Sequence, residues 1–223
     1  METNNFTTAA LINHMVRRAD RPVSEDEILF LGILCRKVHG ANVLAGWWKD
    51  LHTGEDMHGK RNIGEMLCLV HSEVAEADEG FDADAKDDKL PHRSALEVEL
   101  ADTLIRTFDL GGSDDRYDFP NCYKNPLLDI DLPPGSNSYQ VREDLMLIHR
   151  AISKAMEGHR KSKVVDGKLV FSIHMAEVIQ RIFWLGKKLN LDLGGAFVEK
   201  MAFNASRADH KPEARLAAGG KAY

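Results

Sequence analysis

Apolar residues recur at steps of three and four along nearly the whole chain, a period that belongs to helices rather than strands. No run of alternating β-branched residues breaks it. The nearest is Lys163 to Leu169, where Asp166-Gly167 reads as a turn. The fold class this predicts is all-α. The clearest helix starts at Asn62, with Glu65 as its capping partner, and is expected to stop at Gly80, a common C-terminal residue. Its stripe is Ile63, Met66, Leu67, Val70, Val74 and Ala77. Ser94 with Glu97 caps a helix running to Leu110, with Leu96, Leu100, Leu104 and Phe108 as its stripe. Ser24 with Glu27 opens an earlier helix over 25–38, and three more are expected over 138–157, 171–189 and 193–208. Between them lie a linking stretch, 40–61, and an acidic loop, 81–93. A long irregular connection, 111–137, carries Pro120, Pro126, Pro133 and Pro134, and the end, 211–223, reads as a loose tail.

A repeat sharpens this picture. Cys68-Leu69-Val70-His71 with Glu79-Gly80 matches Met146-Leu147-Ile148-His149 with Glu157-Gly158. The segment from Ala101 to Leu110 then matches Ala176 to Leu185, with Lys-Leu pairs at Lys89-Leu90 and Lys168-Leu169 in the two loops. Two matches in order describe one helix-loop-helix unit present twice. The 223 residues therefore divide into a first repeat over 1–110, the connection 111–137, a second repeat with a closing helix over 138–210, and the tail.

Charge and cysteine usage narrow the function. With 29 Lys+Arg against 35 Asp+Glu the net charge is −6, which disfavours a nucleic-acid partner. No apolar run approaches the ~20 residues of a membrane span. Nothing basic precedes the short patch Ala9 to Ile12, so no signal peptide is expected. Cys35, Cys68 and Cys122 lack CxxC spacing, which fits a reducing cytoplasm and excludes a cysteine-based zinc cluster.

The chemistry sits in carboxylates. Glu73 and Glu76 lie one turn apart on their helix, and Glu99 and Asp102 lie one turn apart on the next. Both pairs flank the apolar stripes. If the two helices pack antiparallel through those stripes, four carboxylates converge at the rim of the core. Such a cluster repels itself unless cations intervene, and oxygen-only ligands suit Mg²⁺ or Mn²⁺. Glu65 and Glu97 read as cap residues, and Glu79 as a surface residue near its helix end.

ExxE followed by ExxD, here Glu73-Val74-Ala75-Glu76 and Glu99-Leu100-Ala101-Asp102, resembles the metal-binding signature of the MazG-like nucleoside triphosphate pyrophosphohydrolases. The surrounding Asn62 to Leu67, His71 to Ala77, Gly46-Trp47-Trp48 and Glu199 to Arg207 are also similar to that family. The resemblance implies an all-α MazG-like helical bundle, with the tandem units packed as one pseudo-dimeric body. It implies hydrolysis of a (d)NTP to (d)NMP and pyrophosphate, with two or three Mg²⁺ ions per site on Glu73, Glu76, Glu99 and Asp102. Glu73 or Glu76 is the candidate base for the attacking water. Lys200, Asn204 and Arg207, spaced by four and three on the closing helix, become candidate phosphate contacts, and Trp48 and Lys49 further substrate contacts. In the second repeat Ala151 and Lys154 stand opposite Glu73 and Glu76, and His174 and Glu177 opposite Glu99 and Asp102. That set cannot rebuild the cage, so the second copy is expected to be inactive and to supply packing, with Lys154 and Arg160 as possible phosphate contacts. Two fused copies suggest a homodimer. The alternatives are a catalytically weak nucleotide-binding or regulatory helical module and a phosphoribosyl-ATP pyrophosphohydrolase-like enzyme.

Overall fold

The computed structural model describes residues 2–123 and 138–220. The elements in order are α1 (Glu2–Arg17), α2 (Glu25–Leu44), α3 (Ile63–Asp82), α4 (Ala95–Gly112), α5 (Phe119–Cys122), α6 (Ser138–Arg160), β1 (Val164–Val165), β2 (Lys168–Leu169), α7 (Val170–Leu189), α8 (Leu193–Ser206) and α9 (Pro212–Leu216). The fold is all-α; the only strands among the described residues are the two-residue pair flanking Asp166-Gly167, both at positive φ. No helix among these residues is long and apolar enough to cross a membrane.

The capping signals set the starts. Ser24 accepts from the Glu27 amide (3.2 Å) while Glu27 accepts from the Ser24 amide (2.7 Å), a complete box worth about 1 kcal/mol. Asn62 accepts from the Gly64 and Glu65 amides. Ser94 caps α4, but Glu97 does not close that box: its carboxylate takes Arg93 (2.5 Å) and the Asp192 amide (2.9 Å). The ends run further than expected. α2 passes Gly40, α3 passes Gly80 and α4 passes Gly111, because no positive φ is needed at these glycines and tertiary contacts hold the extra turns.

One core runs through both halves of the chain, from Leu31, Val70, Leu100 and Phe108 to Ile148, Ile179 and Phe183. α3 packs on α4 as a helical hairpin, and α6 packs on α7 in the same way. Their loops share backbone detail. Ala85 donates to Gly80 O and Ala95 to Ala85 O in one, while Lys163 donates to Gly158 O and Val170 to Lys163 O in the other. Lys86 bridges Ser94, and Val164 pairs with Leu169. Asp84 and Ser162 both sit at φ 45°. Where α3 meets α6, His71 and His149 stack on each other with centroids 4.9 Å apart and Nδ1 atoms at 2.6 Å. Residues that match in sequence thus touch in space, and both imidazoles are held below the usual histidine range, mainly by burial.

Three parts of the chain are more ordered than their sequence suggested. α1 was not foreseen: it buries Ile12, Met15 and Val16, and Asn13 ties the start of α8 through the Asp192 carboxylate (2.6 Å) and the Gly194 amide (2.9 Å). The start of the expected irregular connection forms α5, burying Phe119 and Cys122; Pro126, Pro133, Pro134 and the rest of 124–137 lie outside the described residues. The expected loose tail, 211–223, forms α9 with Arg215 buried, and just before it α8 stops at Ser206 and a short 3-10 turn, Ala208–His210, follows; residues 221–223 lie outside the described ones.

Candidate metal centre

The α3–α4 hairpin sets the two carboxylate pairs side by side. Oxygens of Glu73, Glu76 and Glu99 come within 4.8 Å of one another. Glu73 and Glu99 are buried, whereas Glu76 is exposed; Glu79 is exposed, as expected of it. All three, with Asp102, line one cleft of about 600 Å³. α8 closes it from the other side. Arg93 locks that helix in place, bonding Glu97 at the start of α4 as well as Asp192 (3.1 Å) and Glu199 (2.7 Å). The residue after Glu199 is Lys200, so the same lock aims its ammonium into the cage.

Lys200 is 4% exposed and faces three carboxylates: Asp102 at 3.0 Å, Glu99 at 3.9 Å and Asp87 at 3.9 Å. The sequence reading offered it to substrate phosphates, and here its charge is directed at the acidic cluster. Arg106 donates to Glu73 at 2.5 Å. If all four cage carboxylates were ionised, these two cations would leave an excess of negative charge, and the cluster resists full ionisation. Burial pushes the Glu99 carboxyl well above the usual range; Lys200 pulls it down, while the Asp102 and Glu73 charges add to the rise. Asp102 is raised by burial too, against the pull of Lys200. Glu76 is raised by burial and by Glu73. An all-oxygen donor set, short of positive charge, fits a hard divalent cation such as Mg²⁺ or Mn²⁺.

The equivalent place in the second half is satisfied internally. Glu177 accepts from His174 (2.8 Å) and from Arg181 (2.6 Å), which hold its carboxyl down at about 2 although burial opposes them. Ala151 is buried and Lys154 is exposed. Arg160 pairs with Glu157 (2.5 Å), and neither it nor Lys154 lines the cleft. Their suggested phosphate role is not supported by this placement.

The other site residues divide. Asn204 lines the cleft and reaches Asp102 at 3.5 Å, while its buried Oδ1 has no hydrogen-bond partner among the described residues. Arg207 also lines the cleft, but from beyond the end of α8, in extended conformation and paired with Asp209 (2.6 Å); the three do not share one helix face. Trp48 is buried, stacks on His58 (4.9 Å) and donates to Asp109 (3.0 Å), so it builds the wall. Lys49 is a correction: it is exposed, bridges Asp56 through the backbone and does not line the cleft, because the adjacent Trp48 takes the inward position. Replacing Lys49 with Ala should therefore change KM for a nucleotide by less than about twofold, as exposed side chains without partners usually do; a tenfold rise in steady-state assays would restore it to the site.

Sequence reasoning missed Asp87, Asp109, Arg61 and His210 as cleft or cage residues. Asp87 stood among other loop acids, with nothing to single out the one that would be buried. The last three reach the cleft only through tertiary packing. No protein family, curated protein or solved structure matches the chain.

Proposed function

We propose that this chain is a divalent-cation-dependent nucleoside triphosphate pyrophosphohydrolase, converting a (d)NTP and water to (d)NMP and pyrophosphate. The observation that carries the reading is the convergence of Glu73, Glu76 and Glu99, with Asp102 beside them, on a cleft large enough for a nucleotide. The sequence resemblance to MazG-like enzymes points the same way. The matched loops and the His71–His149 contact further support a tandem duplication whose second copy serves as packing partner.

Mg²⁺ or Mn²⁺ would be held by Glu73, Glu76, Glu99 and Asp102, and it supplies charge stabilisation and an acidified water. The chain's own residues do the rest. Exposed Glu76 is the carboxylate best placed to exchange a proton with solvent water, since Glu73 is occupied by Arg106. Asn204 offers its open acceptor to a sugar or base donor. Arg207 can share its guanidinium between Asp209 and a phosphate oxygen. Pyrophosphate release measured over a panel of NTPs and dNTPs, with Mg²⁺, Mn²⁺ and EDTA, tests the proposal; no release with any of them would overturn it.

Lys200 favours a second reading. Its ammonium already neutralises part of the cage, as suits a nucleotide-binding module that needs no metal. Nucleotide binding that persists in EDTA without turnover would select that reading.

The raised carboxyls give the metal its own test. A folded-state pKa above the unfolded one means that Glu99 keeps a proton the unfolded chain would release, so its contribution to metal-free stability is present at low pH and is lost as pH rises through the folded value. A cation must expel that proton. Mn²⁺ affinity is therefore expected to tighten as pH rises towards the folded Glu99 value of about 9 and to level off above it, by up to about tenfold per unit while one proton is displaced. Titration calorimetry in buffers of different ionisation enthalpy reads the proton directly; affinity independent of pH and buffer would count against the cage.

A further inference from the structure

The segment after α8 borders the cleft. It starts at Arg207, near the carboxylates, passes His210 and ends in α9. Arg207 and His210 both line the cleft, as does Trp47 at its far end, where the adjacent Trp48 bonds Asp109, about two turns beyond Asp102 on α4. The segment is anchored at that far end. Arg215, only 3% exposed, lays its guanidinium over the Trp47 ring at 3.8 Å. Its Nη1 donates to Gly46 O at 3.1 Å. His210 meets the same indole edge-on at 5.0 Å and 86°. Arg61, from the other side of the loop, donates to Trp47 O. Gly46 sits at φ +81°, which other residues rarely adopt, so the loop carrying Trp47 turns sharply beneath Arg215.

From this arrangement we infer that Arg215 is a positioning residue for nucleotide binding. It docks residues 207–216 as a strap that fixes Trp47 and walls the cleft at the end away from the carboxylates. A cation held on an indole face is a strong, orientation-dependent contact, and with the Gly46 bond and the His210 contact it joins the two segments. The strap touches no cage carboxylate through Arg215, so its effect falls on retention of the nucleotide and not on the reacting centre. This inference rests on the nucleotide reading of the cleft, whereas the docking itself does not.

Hydrogen exchange on the full chain tests the docking without any nucleotide. In R215M, residues 42–49 and 207–218 should both exchange about tenfold faster or more, while 63–82 and 95–112 keep their protection. W47L should loosen 207–218 reciprocally. Unchanged exchange over 42–49 in R215M, or faster exchange throughout the two helices, overturns the strap. In turnover assays R215M should raise KM about tenfold and shift kcat by less than about threefold. A docked-strap signature in exchange with KM unaltered overturns the retention role. A wild-type protein that turns over no nucleotide sinks the enzyme proposal and leaves the exchange result to decide the strap.

Discussion

Glu73→Gln and Asp102→Asn should each lower pyrophosphate release at least about a thousandfold, and neither should unfold the protein. Each replaces an anionic oxygen with a neutral amide of the same shape. Losing roughly 4 kcal/mol of transition-state stabilisation is a thousandfold in rate, the scale on which fixed charge at a reacting phosphate acts. The fold tolerates both changes because the cage is crowded with like charge. In Glu73→Gln, Arg106 loses its carboxylate but is partly exposed and can be hydrated. In Asp102→Asn, Lys200 keeps Glu99 and Asp87. Removing one negative charge from the cluster relieves repulsion, so the metal-free variants should melt within about 3 °C of wild type, as substitutions near 1 kcal/mol do in a domain this size. Pyrophosphate release and a thermal scan on the same samples check both halves. Near-wild-type turnover in either variant would remove the metal-site assignment; lost turnover with lost folding would leave the residues structural.

The two halves of the chain make the same argument by contrast. In the second, Glu177 has a histidine and an arginine within hydrogen-bond reach, and its carboxyl stays low. In the first, Glu99 and Asp102 are raised although a lysine sits between them. A protein that needed only a stable pair of helices could have closed both places in the first manner. The under-compensated one opens on a cleft. That is the expected pattern of a site that trades stability for binding.

Helical periodicity and capping residues were enough to locate α2, α3, α4, α6, α7 and α8, because each signal is local. Glu73, Glu76, Glu99 and Asp102 were legible for the same reason: their spacing on two adjacent stripes fixes a shared edge once the helices pair. α1 was not legible, since its apolar residues Ile12, Met15 and Val16 carry no capping signal and gain meaning only against α7 and α8. The strap was missed because its ordering comes from Arg215 on Trp47, residues far apart in the chain. Lys200 lines the cleft, and there its ammonium faces carboxylates that its helix spacing did not reveal. Spacing puts a lysine on a helix face, but only the Arg93 lock on Glu199 determines which groups its ammonium meets.

The sharpest test of the paired architecture is a pair of glycines. Read from sequence, Gly80 is a helix stop, but α3 passes it, and at an interior position propensity alone would make Gly80→Ala harmless or stabilising by about 1 kcal/mol. The packing predicts the opposite sign. A Cβ on Gly80 would stand 2.5 Å from Ala95 Cβ, and one on Gly158 would stand 2.8 Å from the Phe171 amide and 2.9 Å from Val170 Cβ. Both glycines are the points where a helix grazes the start of its partner, and both neighbours are backbone or short side chains that cannot swing away. Gly80→Ala and Gly158→Ala should each destabilise the protein by about 1–3 kcal/mol, and the valine variants by about 3 kcal/mol or more. At 2–4 °C per kcal/mol for a chain of this size, the valine variants should melt roughly 6–12 °C below wild type. Thermal melts of the four variants decide it: a loss at Gly80 with none at Gly158 would mean that the two hairpins are not built alike, and a gain at both would make them ordinary helix-interior positions with no close approach.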